Sequence, residues 1–330
     1  MHQTTANSSP ALYRNSLSLW DRVASVRIKP RRILLNENIL EKSFWLPELA
    51  PVSSHPFVVE KELSNDILTQ HLYLHLDFTI RLEQDIVNPA VCQIAHRNLC
   101  FSMPEEMIFD AYRIYCDEAY HALFYADFKS QVESFTGIKP ISLGTPTFLR
   151  KFQEIQDSQP KIPSQLIKIF FVIVSETLIS SVLKKIPKDE FVVEEVRQII
   201  HDHACDEAYH SIYFANLFKV VWHQLEQEQQ ILIGKLLPEF IKIFLEPDFD
   251  SLKLILSSLG LTSENIFTII TESYPQRNTM NNIRSSAKNT LTLLWHSGLF
   301  ENSQLFEAFR ISNLLPNEMS DEHIVIPFQS

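Results

Sequence analysis

Apolar residues recur along most of this chain at the spacing of one helix face. From Ser64 onward, Ile67, Leu68, Leu72, Leu76, Ile80 and Val87 share a stripe that also carries Glu83, and the stripe predicts a helix until Pro89 interrupts it. Ser102-Met103-Pro104-Glu105 has the spacing of a capping box with proline in the first turn, opening a second helix that runs to about Glu133. A third is expected over Ser164–Lys185, between Pro163 and Pro187, and a fourth from about Lys188 to His223. Further helices follow, for example Gln229–Leu245 and Asn281–His296, with packing as their expected role. Residues 1–57 are less regular and carry a short basic run, Arg27, Lys29, Arg31 and Arg32, which reads as an arm packed on an acidic body. The pattern predicts one helical domain over 1–330: an arm (1–57), a four-helix core (58–223) and a helical extension (224–330).

Composition narrows the classes. Only 5 of 330 residues are glycine, so phosphate loops, dinucleotide fingerprints and a hairpin-rich β fold are disfavoured, and an all-α chain is expected. A net charge of −11 disfavours nucleic acid and anionic membrane as partners. Cys92, Cys100, Cys116 and Cys205 show no C-x-x-C pair, and four in such a length do not form a disulfide framework. The first residues lack the apolar core of a signal peptide. The most apolar stretch, Leu166 to Leu183, is interrupted by Lys168 and Glu176 and reads as too short between its charges to span a bilayer. The expectation is a soluble, cytoplasmic protein.

One repeat carries the chemistry. Residues 116–121 are Cys-Asp-Glu-Ala-Tyr-His, and residues 205–210 are the same hexapeptide. Each copy contains Glu-x-x-His: Glu118 with His121, and Glu207 with His210. On a helix these positions lie on one face, so a carboxylate and an imidazole converge on one point. Paired Glu-x-x-His helices in a four-helix di-metal site require one more glutamate from each of the other two helices. Glu83 and Glu176 stand on the preceding apolar helices. Glu176 is the only acidic residue between Asp157 and Asp189, and an unpaired buried carboxylate is costly enough to demand a partner such as a metal. Asp85 points away from the Glu83 stripe and is the poorer candidate. His203 shares the helix face of Glu207 and His210, whereas the matching position of the first copy is Ile114. Asp117 and Asp206 suggest a crossed arrangement, with Asp206 accepting a hydrogen bond from His121 and Asp117 from His210.

Four glutamates and three histidines offer oxygen and nitrogen donors without thiolate, which suits two iron ions, with manganese the other fitting metal. Four carboxylates balance two divalent cations, so such a site is neutral in a low-dielectric core. The ordered set Glu83, Glu118, His121, Glu176, His203, Glu207 and His210 resembles the p-aminobenzoate N-oxygenase family of non-haem diiron enzymes. The resemblance covers about residues 60–222 and is carried above all by His-x-x-x-Glu-x-x-His. It implies a ferritin-like helical bundle with a carboxylate-bridged di-metal site and extra flanking helices. It also implies those seven residues as metal ligands, and O2-dependent oxidation of an amine nitrogen to a hydroxylamine or beyond, often in natural-product biosynthesis. The substrate is then a small-molecule amine, free or bound to a carrier protein, with O2 and an external electron donor such as a reductase as partners. Lys184, Lys185 and Lys188 form a basic patch that could receive an acidic carrier. Arg81, the one arginine shortly before Glu83, lies two residues off the ligand stripe. The same site could instead oxidise carbon, by hydroxylation, desaturation or oxidative cleavage, or simply bind iron as ferritins do. A homodimer is the assembly expected of the oxygenase, and a cage that of the storage protein.

Overall fold

A computed structural model describes residues 13, 15–34 and 42–315 of the chain; residues 1–12, on which the signal-peptide reading rested, lie outside them. The described residues form a helical bundle without named strands. Its core elements are α1 (Ser64–Leu82), α2 (Asn88–Ala95), α3 (Glu105–Thr136), α4 (Thr147–Ser158), α5 (Ser164–Leu183) and α6 (Glu194–Trp222). Helix α1 packs on α3, α5 packs on α6, and α3 meets α6 across the middle. After them come α7 (Gln227–Gly234), α8 (Leu237–Leu245), α9 (Phe249–Ser258), α10 (Ser263–Ser273), α11 (Gln276–His296) and α12 (Ser303–Ile311). Helices α8 and α11 both lie against α5. The main hydrophobic cluster draws on all three parts of the chain, for example Leu17 of the arm, Phe170 of the core and Phe240 of the extension.

Four boundaries differ from expectation, each for a local reason. Pro89 does not end the first helix. Residues Glu83–Val87 form a π-helical turn, and the helix resumes as α2. That wide turn bonds Asn88 N–H to the Glu83 carbonyl and accommodates the missing N–H of Pro89. Ser102 does not cap α3. Its backbone N–H is taken by Gln224 at 2.8 Å, and α3 starts after Pro104 with Glu105 and Glu106 in the first turn. Helix α6 starts at Glu194 and not near Lys188, because the arm claims the intervening backbone. Ser43 N–H bonds Phe191 O, and Val193 N–H bonds Ser43 O, both at 2.9 Å. The stretch expected as Gln229–Leu245 is two helices, broken just before Pro238.

Helix α5 has the length and apolarity of a membrane span, but 78% of that window is buried in the bundle. Its apolar residues face other helices on all sides, which explains its lack of a polar stripe. The basic run of the arm is neutralised locally. Lys29 and Arg32 both pair with the buried Asp202, Arg31 pairs with Asp127, and Arg27 lies 3.8 Å from Asp21.

Candidate metal centre

Each long helix presents its chemistry on the face turned to the bundle centre. Glu83 opens the π turn after α1, Glu118 and His121 sit mid-way along α3, Glu176 lies on α5, and His203, Glu207 and His210 follow one stripe of α6. None of the seven is more than 1% exposed. Their donor atoms gather in two groups, each spanning less than 4.8 Å. One holds Glu83, Glu118, His121, His203 and Glu207, and the other Glu118, Glu176, Glu207 and His210. Glu118 and Glu207 belong to both groups.

The histidines are aimed by hydrogen bonds on their far sides. His121 Nε2 donates to Asp206 at 3.0 Å, and His210 Nε2 donates to Asp117 at 3.1 Å. This leaves Nδ1 of each ring facing the glutamates: His121 is 3.2 Å from Glu118, and His210 is 3.0 Å from Glu118 and 3.2 Å from Glu207. His203 is turned the other way. Its Nε2 lies 3.1 Å from Glu207 and 3.3 Å from Glu83, while Nδ1 meets the Tyr125 hydroxyl at 2.8 Å. As α3 advances through Asp117, His121 and Tyr125, its partners on α6 retreat through His210, Asp206 and His203, so the two helices run antiparallel.

The aspartates are themselves anchored by the arm. Trp20 Nε1 donates to Asp117 at 2.8 Å, and the Ser25 backbone N–H donates to Asp206 at 3.1 Å. Trp20, Ser25 and Tyr125 were not anticipated from the sequence. The two arm residues carry no signal in their own composition. Tyr125 does carry one, because it replaces Phe214 of the second repeat copy just as His203 replaces Ile114. Asp85 and Arg81 pair with each other at 2.5 Å, both partly exposed, so neither faces the site.

The electrostatics call for cations. Burial, aided by the charge of Glu118, pushes the Glu83 carboxyl well above the usual carboxylate range, and burial with the charges of Glu207 and Glu118 does the same to Glu176. Burial acts in the same direction on Glu207, but His210 and His203 overcome it and hold that carboxyl well below its ordinary value. Burial opposes a charge on His121, yet Asp206 and Glu118 raise it to about 10. Both oxygens of Glu83 and one each of Glu118, Glu176 and Glu207 are buried without a hydrogen bond. Where imidazole nitrogens approach them closely, hydrogen-bond geometry is absent, so these lone pairs are directed at common points and not at one another. Orphaned carboxylate oxygens gathered with imidazole nitrogens fit two hard-to-borderline divalent cations.

The sequence model of the p-aminobenzoate N-oxygenase AurF family matches residues 38–296. The chain belongs to this family. It is therefore an O2-dependent diiron N-oxygenase of the ferritin-like type, and its substrate is an amine. The family match takes in about the last third of the arm, the whole core and the extension through α11. No curated protein matches the chain.

Proposed function

We propose that Glu83, Glu118, His121, Glu176, His203, Glu207 and His210 hold two irons, and that the protein places oxygen from O2 on the nitrogen of an amine, giving a hydroxylamine or a higher oxidation state in natural-product biosynthesis. The observation that carries this reading is the buried cluster of four glutamates and three histidines in a member of an N-oxygenase family. Glu118 and Glu207, common to both groups, would serve both ions, with Glu83, His121 and His203 holding one and Glu176 and His210 the other. The bound irons supply O2 activation and electron storage.

The chain's own residues set the conditions for that chemistry. Asp206 and Asp117 hold the Nε2–H of His121 and His210, which fixes the tautomer and leaves Nδ1 basic toward the centre. Tyr125 accepts from His203 Nδ1–H and frees Nε2 in the same way. Burial of the cluster excludes bulk water, which protects the oxidant from unproductive reduction. Placing one oxygen atom of O2 on nitrogen and releasing the other as water requires two electrons and two protons. An external reductant is therefore the implied partner, whether a reductase or a small molecule. The test mixes reduced, iron-loaded protein with isotopically labelled O2 and a panel of aryl and alkyl amines. Label on nitrogen is the expected result, and label on carbon alone across a panel containing turned-over substrates contradicts the reading.

A further inference from the structure

A cavity of 840 Å³ lies beside the metal centre, within the range of small-molecule sites. Its inner wall includes Thr79, one helical turn before Glu83, and Ile179, one turn after Glu176. It therefore abuts two glutamate-bearing segments at once. The outer wall comes from the extension, including Phe244, Asn282 and Asn289. Helices α8 and α11 thus do more than pack.

Along α1, His71, His75 and Thr79 line this cavity at successive i, i+4 positions, and the next step of the same series is Glu83. His71 is 7% exposed and Thr79 is fully buried. His71 Nε2, His75 Nε2 and Thr79 Oγ1 are all shielded from solvent and have no hydrogen-bond partner. Three unpartnered polar groups in one row are expensive, at about 1–3 kcal/mol each, unless a ligand satisfies them. The His75 ring is held by Trp45 at 4.9 Å and Tyr125 at 5.8 Å, so its edge is fixed and not free to seek another partner. Burial keeps His71 and His75 neutral, lowering them to about 4 and about 3. Each ring thus offers hydrogen bonds and no charge. Several charged side chains line the cavity: Glu246 pairs with Lys151 at 3.3 Å, Asp248 caps α9, and Glu48, Lys184 and Lys185 are exposed, the two lysines just past the end of α5. These lysines lie eight and nine residues beyond Glu176, which is ~12 Å along a helix.

We infer that the cavity binds an elongated amine, with its nitrogen at the Glu83–Glu176 end, a hydrogen-bonding middle read by His75 and Thr79, and an anionic group near Lys184 and Lys185. This rests on the N-oxygenase reading and adds the class of substrate. His75 and Thr79 are specificity-determining contacts, and a cavity of 840 Å³ accommodates a substrate longer than a bare aminobenzoate. A glycyl spacer adds ~3.5 Å and an amide.

The experiment measures binding by equilibrium dialysis to iron-loaded protein without O2, so that it does not depend on turnover. The probes are p-aminobenzoate, p-aminobenzoylglycine, its uncharged glycinamide, and the p-aminobenzoyl thioester of phosphopantetheine. At least one long anionic probe should bind ten times or more tighter than p-aminobenzoate. Preference for the glycine acid indicates a free substrate, and preference for the thioester a carrier-borne one. Thr79→Val, which keeps the shape, and His75→Phe, which keeps the ring on Trp45, should each weaken the preferred probe by ~5–10-fold while retaining two irons. Lys184→Gln with Lys185→Gln should erase the preference for an acid over its amide. Equal affinity for long and short probes, or wild-type affinity in both α1 variants, overturns the inference. N-oxygenation failing while this binding pattern holds would instead overturn the functional reading.

Discussion

The two copies of Cys-Asp-Glu-Ala-Tyr-His lie on antiparallel helices and do nearly the same work, yet they are not equivalent. In each, the glutamate belongs to both donor groups, the histidine faces inward through Nδ1, and the aspartate holds the histidine of the opposite copy. Among the positions where the copies differ, two bear on the candidate site. The second copy has His203 where the first has Ile114, and the first has Tyr125 where the second has Phe214. Those two polar residues meet each other at 2.8 Å. The unpaired substitutions are thus a single device: an added imidazole together with the hydroxyl that orients it. The result is five protein donors around one group and four around the other.

The largest effect is expected from the residues the two copies share. Glu207→Ala should reduce iron binding from two equivalents per chain to near none, whereas Glu176→Ala should lose one and keep the other. Iron content after anaerobic reconstitution measures both. Equal losses in the two variants would remove the distinction between bridging and terminal glutamates.

The candidate site was largely visible in the sequence. The hexapeptide repeat, Glu83 and Glu176 on the preceding apolar helices, and His203 on the face of Glu207 and His210 pointed to all seven side chains that the structure gathers, because ligand geometry on a helix follows from spacing alone. The helix ends were less legible. The π turn at Glu83 depends on how α1 packs, and the late start of α6 depends on Ser43, far away in sequence. Trp20 and Ser25 escaped notice for the same reason: contacts across nearly a hundred residues or more leave no periodic trace. Comparison of the repeat copies beyond the hexapeptide was the available route to Tyr125.

The broken symmetry can be restored on purpose. His203→Ile leaves the Tyr125 hydroxyl buried without its imidazole partner and should destabilise the metal-free protein by about 1–3 kcal/mol. Adding Tyr125→Phe should recover most of that loss, as chemical denaturation of the three variants would show. The double variant should still bind iron but lose or divert N-oxygenation. Additive losses in stability would mean that the two positions are not coupled.

A smaller effect is expected where the copies still match. Asp206→Ala and Asp117→Ala should each keep the fold and weaken metal affinity by ~10–100-fold, since a histidine loses its orienting acceptor. Metal titration against a competing chelator reads this, and wild-type affinity would relegate both aspartates to helix packing. The smallest change belongs to the arm. Trp20→Phe removes one donor from Asp117 and should cost about 1 kcal/mol in stability with two irons retained, as thermal melting with metal analysis would register.

The central claim is that two irons sit at the two donor groups, bridged by Glu118 and Glu207. Anomalous X-ray diffraction at the iron edge from iron-loaded crystals tests it most directly. The account predicts two peaks per chain, less than ~4 Å apart, one among Glu83, His121 and His203 and the other between Glu176 and His210. A single peak, or a Glu176 carboxylate turned away from both, would contradict it.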